Sequence, residues 1–368
     1  MTHRERQLLR WIEENPLISQ QELADKAGIT RSSAAVHISN LMKKGYIAGK
    51  GYIVRSSPYA VVIGGATLEI GGYSNTPLTA NNTHPGSVKA RLGGTGLNIA
   101  HNITLLGMDT HLITALGDDI AAQRITASCS DLGINTSHTL RVPGASTSTA
   151  LFLAEPDGES KFSVIDADIY ERLTPDFLGG RLPFLNNAQF IVIDANIPEE
   201  TIRWITENCR LPIFADPASP AKAEKLRTVL GQLHTLKANR LETEKLSGIP
   251  LTSRNNLERT ADVLLATGLR RLFITLGPDG VFAADQRERH LLPCLPGSKV
   301  NSAGCGDAFI AAAACGYPEG TSLENTARSG LAAASIALES AECVNPALCA
   351  AQVYQRSGIS CISFQYRK

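Results

Sequence analysis

The sequence lacks a net charge: 35 lysines and arginines face 35 aspartates and glutamates over 368 residues. No global field therefore selects nucleic acid, an anionic surface or an acidic substrate as partner. It also lacks paired cysteines. Eight are present (Cys129, Cys209, Cys294, Cys305, Cys315, Cys343, Cys349 and Cys361), none in a C-x-x-C pair and several in apolar surroundings. They read as reduced core residues in place of a disulfide framework or zinc ligands. There is no secretory h-region and no apolar run long enough to span a bilayer, so a cytoplasmic protein with no membrane partner is expected. No G-x-x-x-x-G-K-[ST] segment occurs, which excludes the P-loop route to ATP. The length suffices for two or three domains with ample core.

The charges that are there are unevenly spread. Residues 1–57 hold nine lysines and arginines against five aspartates and glutamates, a local surplus that suits a nucleic-acid contact. Leu8, Leu9 and Ile12 recur at helical spacing over residues 4–14, and Asn15-Pro16 ends that helix because the residue before a proline disfavours α backbone. Ser19-Gln20-Gln21-Glu22 matches a capping box opening a short helix through Leu23 to Ala27, which Gly28 closes. Thr30 caps a third helix over residues 31–44, with Ala35, Ile38, Leu41 and Met42 toward a core and Arg31, Ser32, Ser33, His37 and Asn40 outward. Gly45-Tyr46-Ile47 and Gly51-Tyr52-Ile53-Val54 then flank Ala48-Gly49-Lys50 as two short strands of a basic wing.

This segment resembles the winged helix-turn-helix domains of bacterial transcription regulators. The resemblance implies DNA as a partner of residues 1–55. Its third helix would enter a major groove, with Arg31, Ser32, Ser33 and His37 near bases or phosphates and Lys43, Lys44 and Lys50 on the backbone. The alternative is a three-helix module that docks a protein. Arg55-Ser56-Ser57-Pro58 is a polar connector, and the domain boundary is drawn there.

Residues 59–368 alternate strand-like and helix-like segments: strand 60–63, helix 97–106, strand 112–114, helix 121–132, and strands 190–193, 213–214 and 272–275. Such alternation predicts a parallel sheet covered by helices on both faces. Residues 71–73, 88–90, 147–153 and 161–165 read as β elements without intervening helices, the last two joined at Pro156-Asp157-Gly158. They are expected to form a small second sheet that covers a site.

Two glycine-rich stretches carry chemistry. In Val300-Asn301-Ser302-Ala303-Gly304-Cys305-Gly306-Asp307 a carboxylate follows small residues ahead of an Ala-rich apolar run. Bare amides at a helix start make an anion hole, and a fixed carboxylate beside it can take a hydroxyl proton during phosphoryl transfer. An Asp307 that merely caps the helix is the alternative. Gly93-Gly94-Thr95-Gly96-Leu97-Asn98 has no buried strand before it and no third glycine in register, so a dinucleotide fingerprint is rejected. Paired glycines before Asn98 suit either a polar small molecule against the backbone or a tightly packed helix cap.

Gly93-Gly94 with Asn98, the pair Asn239 and Glu242, the segment Thr275-Leu276-Gly277-Pro278-Asp279-Gly280 and the Gly304–Asp307 loop occur in the order of the ribokinase (PfkB) family of carbohydrate and nucleoside kinases. The resemblance covers residues 59 to about 348. It implies an α/β fold, a three-layer α/β/α domain with a small β-sheet lid, here preceded by the winged-helix domain. It further implies ATP as co-substrate and Mg²⁺. Asp307 would be the base, and the amides of Gly304, Cys305 and Gly306 would stabilise the transferred phosphoryl group. Glu69, Gly93, Gly94 and Asn98 would bind the acceptor, Asn239, Thr275, Gly277 and Asn345 the nucleotide, and Asn239 with Glu242 the metal, through water.

Departures from the pattern sharpen the reading. Asn301-Ser302 replaces the usual Asp-Thr and Cys305 the usual Ala; an Asn there resembles the pseudouridine kinases within the family. Ile165 to Tyr170, Ile193-Asp194-Ala195-Asn196 and Phe214-Ala215-Asp216-Pro217 with Lys222 to Leu226 point the same way. Against this, the first strand is expected to end at Thr67-Leu68-Glu69, where the family has Asn-x-Asp; Glu69 keeps the charge but is one methylene longer, which implies an acceptor held differently or another molecule in its place. Many members bind a monovalent cation beside the loop, and the charge lost at Asn301 leaves potassium dependence open. Two functions fit: an ATP-dependent nucleoside kinase, pseudouridine foremost, or a regulator whose kinase-like body senses a ligand. A homodimer is expected in either case.

Overall fold

The computed structural model describes residues 1–16, 18–47, 58–157 and 160–359. The expected wing beyond Ile47, with Lys50, lies outside them, as do Gly158 and Cys361. The chain divides into two compact units, Met1–Pro58 and Tyr59–Lys368.

The first unit holds three helices, α1 (His3–Glu14), α2 (Gln20–Ala27) and α3 (Arg31–Lys43). Each starts on a side chain that accepts from an otherwise orphaned amide: Thr2, Ser19 and Thr30. Thr2 with Glu5 and Ser19 with Glu22 are complete capping boxes, and Gly28 closes α2 at φ 62°. Leu8, Ile12, Leu23, Ile38 and Leu41 pack into one core, each fully buried side chain contributing about 1.5–3 kcal/mol. The inward stripe of α3 differs from the expected one. Ala34, Ile38 and Leu41 are buried, whereas Ala35 is only partly so and Met42 is 42% exposed. Positions 34, 38 and 41 stack on one face at 3.6 residues per turn, and position 42 is rotated off it.

In the second unit nine strands form one sheet. Its order is Arg289–Leu292, Val281–Asp285, Arg271–Thr275, Thr235–Asn239, Ile213–Asp216, Phe190–Asp194, Tyr59–Ile63, Asp109–Ile113, Ile134–Asn135. Val281–Asp285 pairs antiparallel with both its neighbours at that edge; the remaining pairs are parallel. Tyr59–Ile63 is buried at every position, as a strand covered on both faces must be. Tyr59, Val61 and Ile63 face one helical layer, with Ile202, Ile205, Leu226 and Leu264. Ala60 and Val62 face the other, with Ile99, Ile125, Ile310 and Ile336. Because the strands are parallel, their carboxyl ends open on one edge, and sheet order reverses around Tyr59–Ile63. That is where an open α/β sheet leaves its crevice.

A four-stranded sheet, Gly86–Gly93, Thr67–Ser74, Thr149–Ala154, Ser160–Asp166, grows from that edge. The expected first strand differs: it ends at Ile63, and Thr67-Leu68-Glu69 opens the small sheet instead. Gly64 and Gly65 make the break, Gly65 N–H donating to the Asp194 carboxylate at 2.8 Å. Tyr170 anchors the start of the new strand by donating to the Ala66 carbonyl at 2.8 Å beside Thr67. One face of this sheet is apolar and open: Val88, Leu151, Leu153, Phe162 and Val164 are 76%, 47%, 39%, 65% and 71% exposed.

Candidate active site

The glycine loop and the Ala-rich run form one helix, Cys305–Cys315, whose N-cap is Gly304. Asp307 is thus not the cap. It sits at the third helical position, inside the first turn. Gly304 has φ 82°, and a Cβ on it would fall onto the Cys343 carbonyl, so only glycine serves there. The amides that follow have no carbonyl one turn back to bond. That of Cys305 leans on Ser302 O at 3.4 Å, while Gly306 N–H begins the turn, and a side chain on Gly306 would come within 2.7 Å of Lys237 Nζ. Burial pushes the Cys305 thiol up to about 11, which keeps it protonated and non-nucleophilic.

Asn98 lies on the helix Thr95–Leu105, whose cap is Gly94 at φ 97°, pressed on the Gly65 backbone. Its amide Nδ2 donates to Asp307 Oδ2 at 2.9 Å. Two stretches 209 residues apart therefore meet at the carboxylate. Glu69 and Arg91, opposite each other in the small sheet, pair at 2.8 Å, and a side chain on Gly93 would strike the Glu69 carboxylate.

The parallel register adds charged residues to which the motifs assigned no role. Asp194 and Asp216 end neighbouring strands side by side, and Lys237, buried on the next strand, pairs with Asp216 at 2.5 Å. Burial opposes the charge of Lys237, but Asp216, Glu242 and Asp307 around it hold its pKa above the ordinary lysine value. Asp307 is pushed up to about 7, first by burial and then by Asp216, with Lys237 and the Asn98 hydrogen bond opposing. Burial also raises Asp194 to about 6, against the amides of Gly65 and Asn196. Lys222 donates to Asn196 Oδ1. Between Asp216 and Lys222, Ala218 holds φ 60°, a left-handed backbone for a residue with a Cβ, and its N–H donates to Asp216 Oδ1 at 2.8 Å.

Asn239 and Glu242 form a reciprocal capping box, Asn239 N–H to Glu242 Oε2 at 2.8 Å and Glu242 N–H to Asn239 Oδ1 at 3.0 Å. Glu242 is buried beside Lys237, and its pKa is raised by burial. Among the described residues no group of three or more His, Cys, Asp or Glu gathers as a metal cage. The donor set fits Mg²⁺, which keeps most of its waters and takes one or two carboxylates plus phosphate oxygens. Thr275 stands opposite Asn239 in register, its hydroxyl 3.5 Å from the Ala238 carbonyl, and Gly277 follows at φ 64°. Asn345 spends its side chain tying its loop to the preceding helix, donating to Ile336 O and accepting from Ala347 N–H. Asn301 likewise accepts from Ala303 N–H and donates to Ala341 O.

In the first unit Arg31, Ser32, Ser33 and Lys43 are exposed on α3, and His37 is partly buried. The Ser32 and Ser33 hydroxyls each lie 2.9 Å from Thr30 Oγ1. Lys44 is committed within the unit: it donates to both oxygens of buried Glu5, at 2.9 and 2.7 Å. That bond, then the Thr2 N–H, holds Glu5 down at about 2. Lys44 makes this pair while its side chain stays 41% exposed.

Among the described residues no helix is long and apolar enough to cross a membrane, and no cysteine forms a disulfide. The model of the pfkB family carbohydrate kinases matches residues 57–348, and that of a winged helix-turn-helix DNA-binding family matches residues 1–48. The chain is 36% identical to the uncharacterized sugar kinase YeiI of Escherichia coli, over 95% of this chain and 97% of that one. It is also 36% identical to the pseudouridine kinase of Escherichia coli, over 82% and 96%. Among solved structures, a putative sugar kinase from Clostridium perfringens superimposes with a TM-score of 0.73 at 26% identity, covering 83% of this chain and 96% of that one. The chain is a member of the pfkB family of carbohydrate kinases, a phosphotransferase acting on an alcohol group of a sugar or nucleoside, with a winged helix-turn-helix region before its kinase body.

Proposed function

We propose that the protein transfers the γ-phosphoryl group of ATP to the 5′-hydroxyl of a nucleoside, pseudouridine first among them, in the cytoplasm. The observation that carries the reading is the Asn98–Asp307 hydrogen bond, which brings acceptor-side and phosphate-side loops to one carboxylate. The likeness to a pseudouridine kinase over most of both chains supports the acceptor class.

The Asp307 carboxylate accepts the hydroxyl proton as the acceptor oxygen bonds to the γ-phosphorus and the bridging P–O bond to ADP breaks. Charge on the transferring group is met by the amides of Gly304 to Gly306 and the helix start behind them. Asn98 orients Asp307, and with Gly93, Gly94 and Glu69 it seats the acceptor; Asn239, Thr275, Gly277 and the Asn345 loop border the nucleotide. Glu242 with Asn239 would hold Mg²⁺, through water, and the ion would supply neutralisation of phosphate charge. A monovalent cation such as K⁺ would sit against the Asn301 turn. Closure of the small sheet excludes water and so limits hydrolysis of ATP.

Incubation with ATP, Mg²⁺ and a panel of nucleosides and sugars tests this. Pseudouridine is expected to give the highest kcat/KM; no phosphorylation of any nucleoside sinks the assignment.

The winged-helix match supports a second reading, DNA binding through α3 with Arg31, Ser32, Ser33, His37 and Lys43, in which the kinase body serves as a ligand sensor as well. Salt-dependent DNA binding lost on deletion of residues 1–55 is the expected result; binding that survives the deletion ends it. The open apolar face of the small sheet carries no charge along Val88, Leu151, Leu153, Phe162 and Val164. It therefore matches a second copy of itself about a twofold axis, and the homodimer forms there.

A further inference from the structure

The glycines that let the helix Thr95–Leu105 approach the reaction centre also weaken its start. A Cβ on Gly96, in the first turn, would stand 2.7 Å from the Gly64 main chain, and one on the cap Gly94 would stand 2.8 Å from the Gly65 carbonyl oxygen. Close approach requires glycine at both places, yet glycine is among the poorest helix formers. Leu97 N–H reaches the Gly65 carbonyl at 3.0 Å, but Gly94 has no side chain with which to cap the other amides. Asn98, which donates to Asp307, thus stands on the weakest turn of its helix.

One turn further along, on the same face, lies Asn102. Its Nδ2 donates to the Asn98 main-chain carbonyl at 2.8 Å, so a side chain as well as the helix ladder holds that carbonyl. Asn102 is 0% exposed, and its Oδ1 has no hydrogen-bond partner among the described residues. Here Ile99, Ala100 and Ile103 pack with Ala308, Ala311 and Ala312 of the helix Cys305–Cys315, side chains that carry no donor. A buried acceptor in such a place bears a desolvation cost that an apolar side chain of the same shape does not. Packing alone would select leucine at 102; the amide is kept for the bond it makes.

We propose that Asn102 is a positioning residue for the reaction: by clamping the Asn98 carbonyl it steadies the turn from which Asn98 donates to Asp307, and so keeps the base in its proton-accepting form. The proposal rests on the reading of Asp307 as base and adds the residue that secures its orienting partner. The Asn98 bond favours the Asp307 carboxylate, as Lys237 does, against burial and the charges of Asp216 and Asp194. The thiols of Cys305 and Cys343 also face Asp307. None of these groups belongs to the helix Thr95–Leu105, so changing Asn102 leaves their charges in place.

Carbon-13 NMR titration of the Asp307 carboxyl in the full chain, its resonance assigned by its loss in Asp307→Asn, tests this beside the pH–rate profile. Asn102→Leu keeps the shape and removes the donor. It is expected to move the Asp307 midpoint and the acid limb of kcat together to higher pH by about one unit or less, the weight of one ordinary hydrogen bond. At about pH 6 kcat then falls by up to about tenfold, and at about pH 9 it returns to within about twofold of the wild type. The urea midpoint stays at or above that of the wild type. Asn102→Ala, which removes the donor without adding volume, gives the same shift if the leucine variant does not fold. Thr104→Val removes a like bond farther along the helix, from Thr104 Oγ1 to the Ala100 carbonyl at 2.9 Å, and is expected to leave the Asp307 midpoint alone. Asn98→Ala shifts it at least as far, and adding Asn102→Leu to Asn98→Ala has no further effect. An unmoved midpoint in both Asn102 variants overturns the proposal. So does an equal shift in Thr104→Val, or a double variant whose shift is the sum of the two singles. Failure of the kinase reading shows elsewhere, in a wild type that phosphorylates no acceptor, while the NMR midpoints still report on the Asn102 clamp.

Discussion

Asp307 is held in tension. Burial and Asp216 raise it to about 7 from an ordinary 3.8, yet a base must be ionised to work. The acid limb of kcat should therefore rise with pH to a plateau above about 7, in a single step readable from a pH–rate profile. The same shift acts on stability with the opposite sign. The native state holds a proton the unfolded chain releases, so this group's contribution is full below about pH 4 and is lost as pH rises through about 7. Asp307→Asn should lower kcat by about 10²–10⁴-fold with acceptor affinity little changed, and should melt at a higher temperature than the wild type at pH 8. An unchanged kcat would move the base elsewhere. Lys237→Met leaves Asp216 buried without its partner, a loss of about 3–5 kcal/mol in urea unfolding. It also removes the cation that restrains Asp307, moving the acid limb to higher pH. Asp307 and Asn98 were legible because each follows glycines at a helix start. Lys237, Asp194 and Asp216 were not given roles, because only the register of parallel strands brings them together. Their signal was a charge at or near the end of an otherwise apolar run, as in Phe-Ile-Val-Ile-Asp at 190–194.

At the scale of elements, the helix Cys305–Cys315 depends on how tightly its first turn meets the chain at Cys343. Gly304→Ala introduces both a left-handed alanine and a clash with a carbonyl, and should cost more than about 1–2 kcal/mol along with most activity. Equal stability would mean the loop can retreat. Helix α3 separates two roles that its sequence blends. Lys44→Ala should lower the melting temperature of the first unit without altering the salt slope of DNA binding, since its charge is spent on Glu5. Arg31→Ala should lower that slope by about one and leave melting alone. Elements with a strong period or a capping box were readable: α1 and α2 stand where expected, and the strands expected at 190–193 and 213–214 run over 190–194 and 213–216. The segment at Thr67 was not, because a turn between two apolar runs and a continuing strand look alike until Gly65 is seen bound to Asp194, 129 residues away. On α3, Ile38 and Leu41 face the core as expected, whereas Ala34 is buried in place of Ala35 and Met42 faces water, for a similar reason. Ala34 and Ala35 are equivalent in hydrophobicity, and only packing against α1 and α2 chooses between them.

For the whole molecule, the kinase body and the winged-helix region were recognisable from ordered motifs. The association of copies was expected only by analogy, since which face of a strand meets water depends on what covers it. Phe162→Lys, at a position 65% exposed in the single chain, places a charge in the proposed mating surface and should convert a dimer to a monomer in sedimentation velocity. A wild type that sediments as a monomer at high concentration rules the surface out. The small sheet is a single layer of strands, so in the proposed dimer the face toward the acceptor and the mating face are the two sides of one sheet. Dilution would then act as a throttle on catalysis: activity per molecule climbs with enzyme concentration until the sheets are paired, and an assay run too dilute reports a slacker grip on the acceptor than the undiluted protein has.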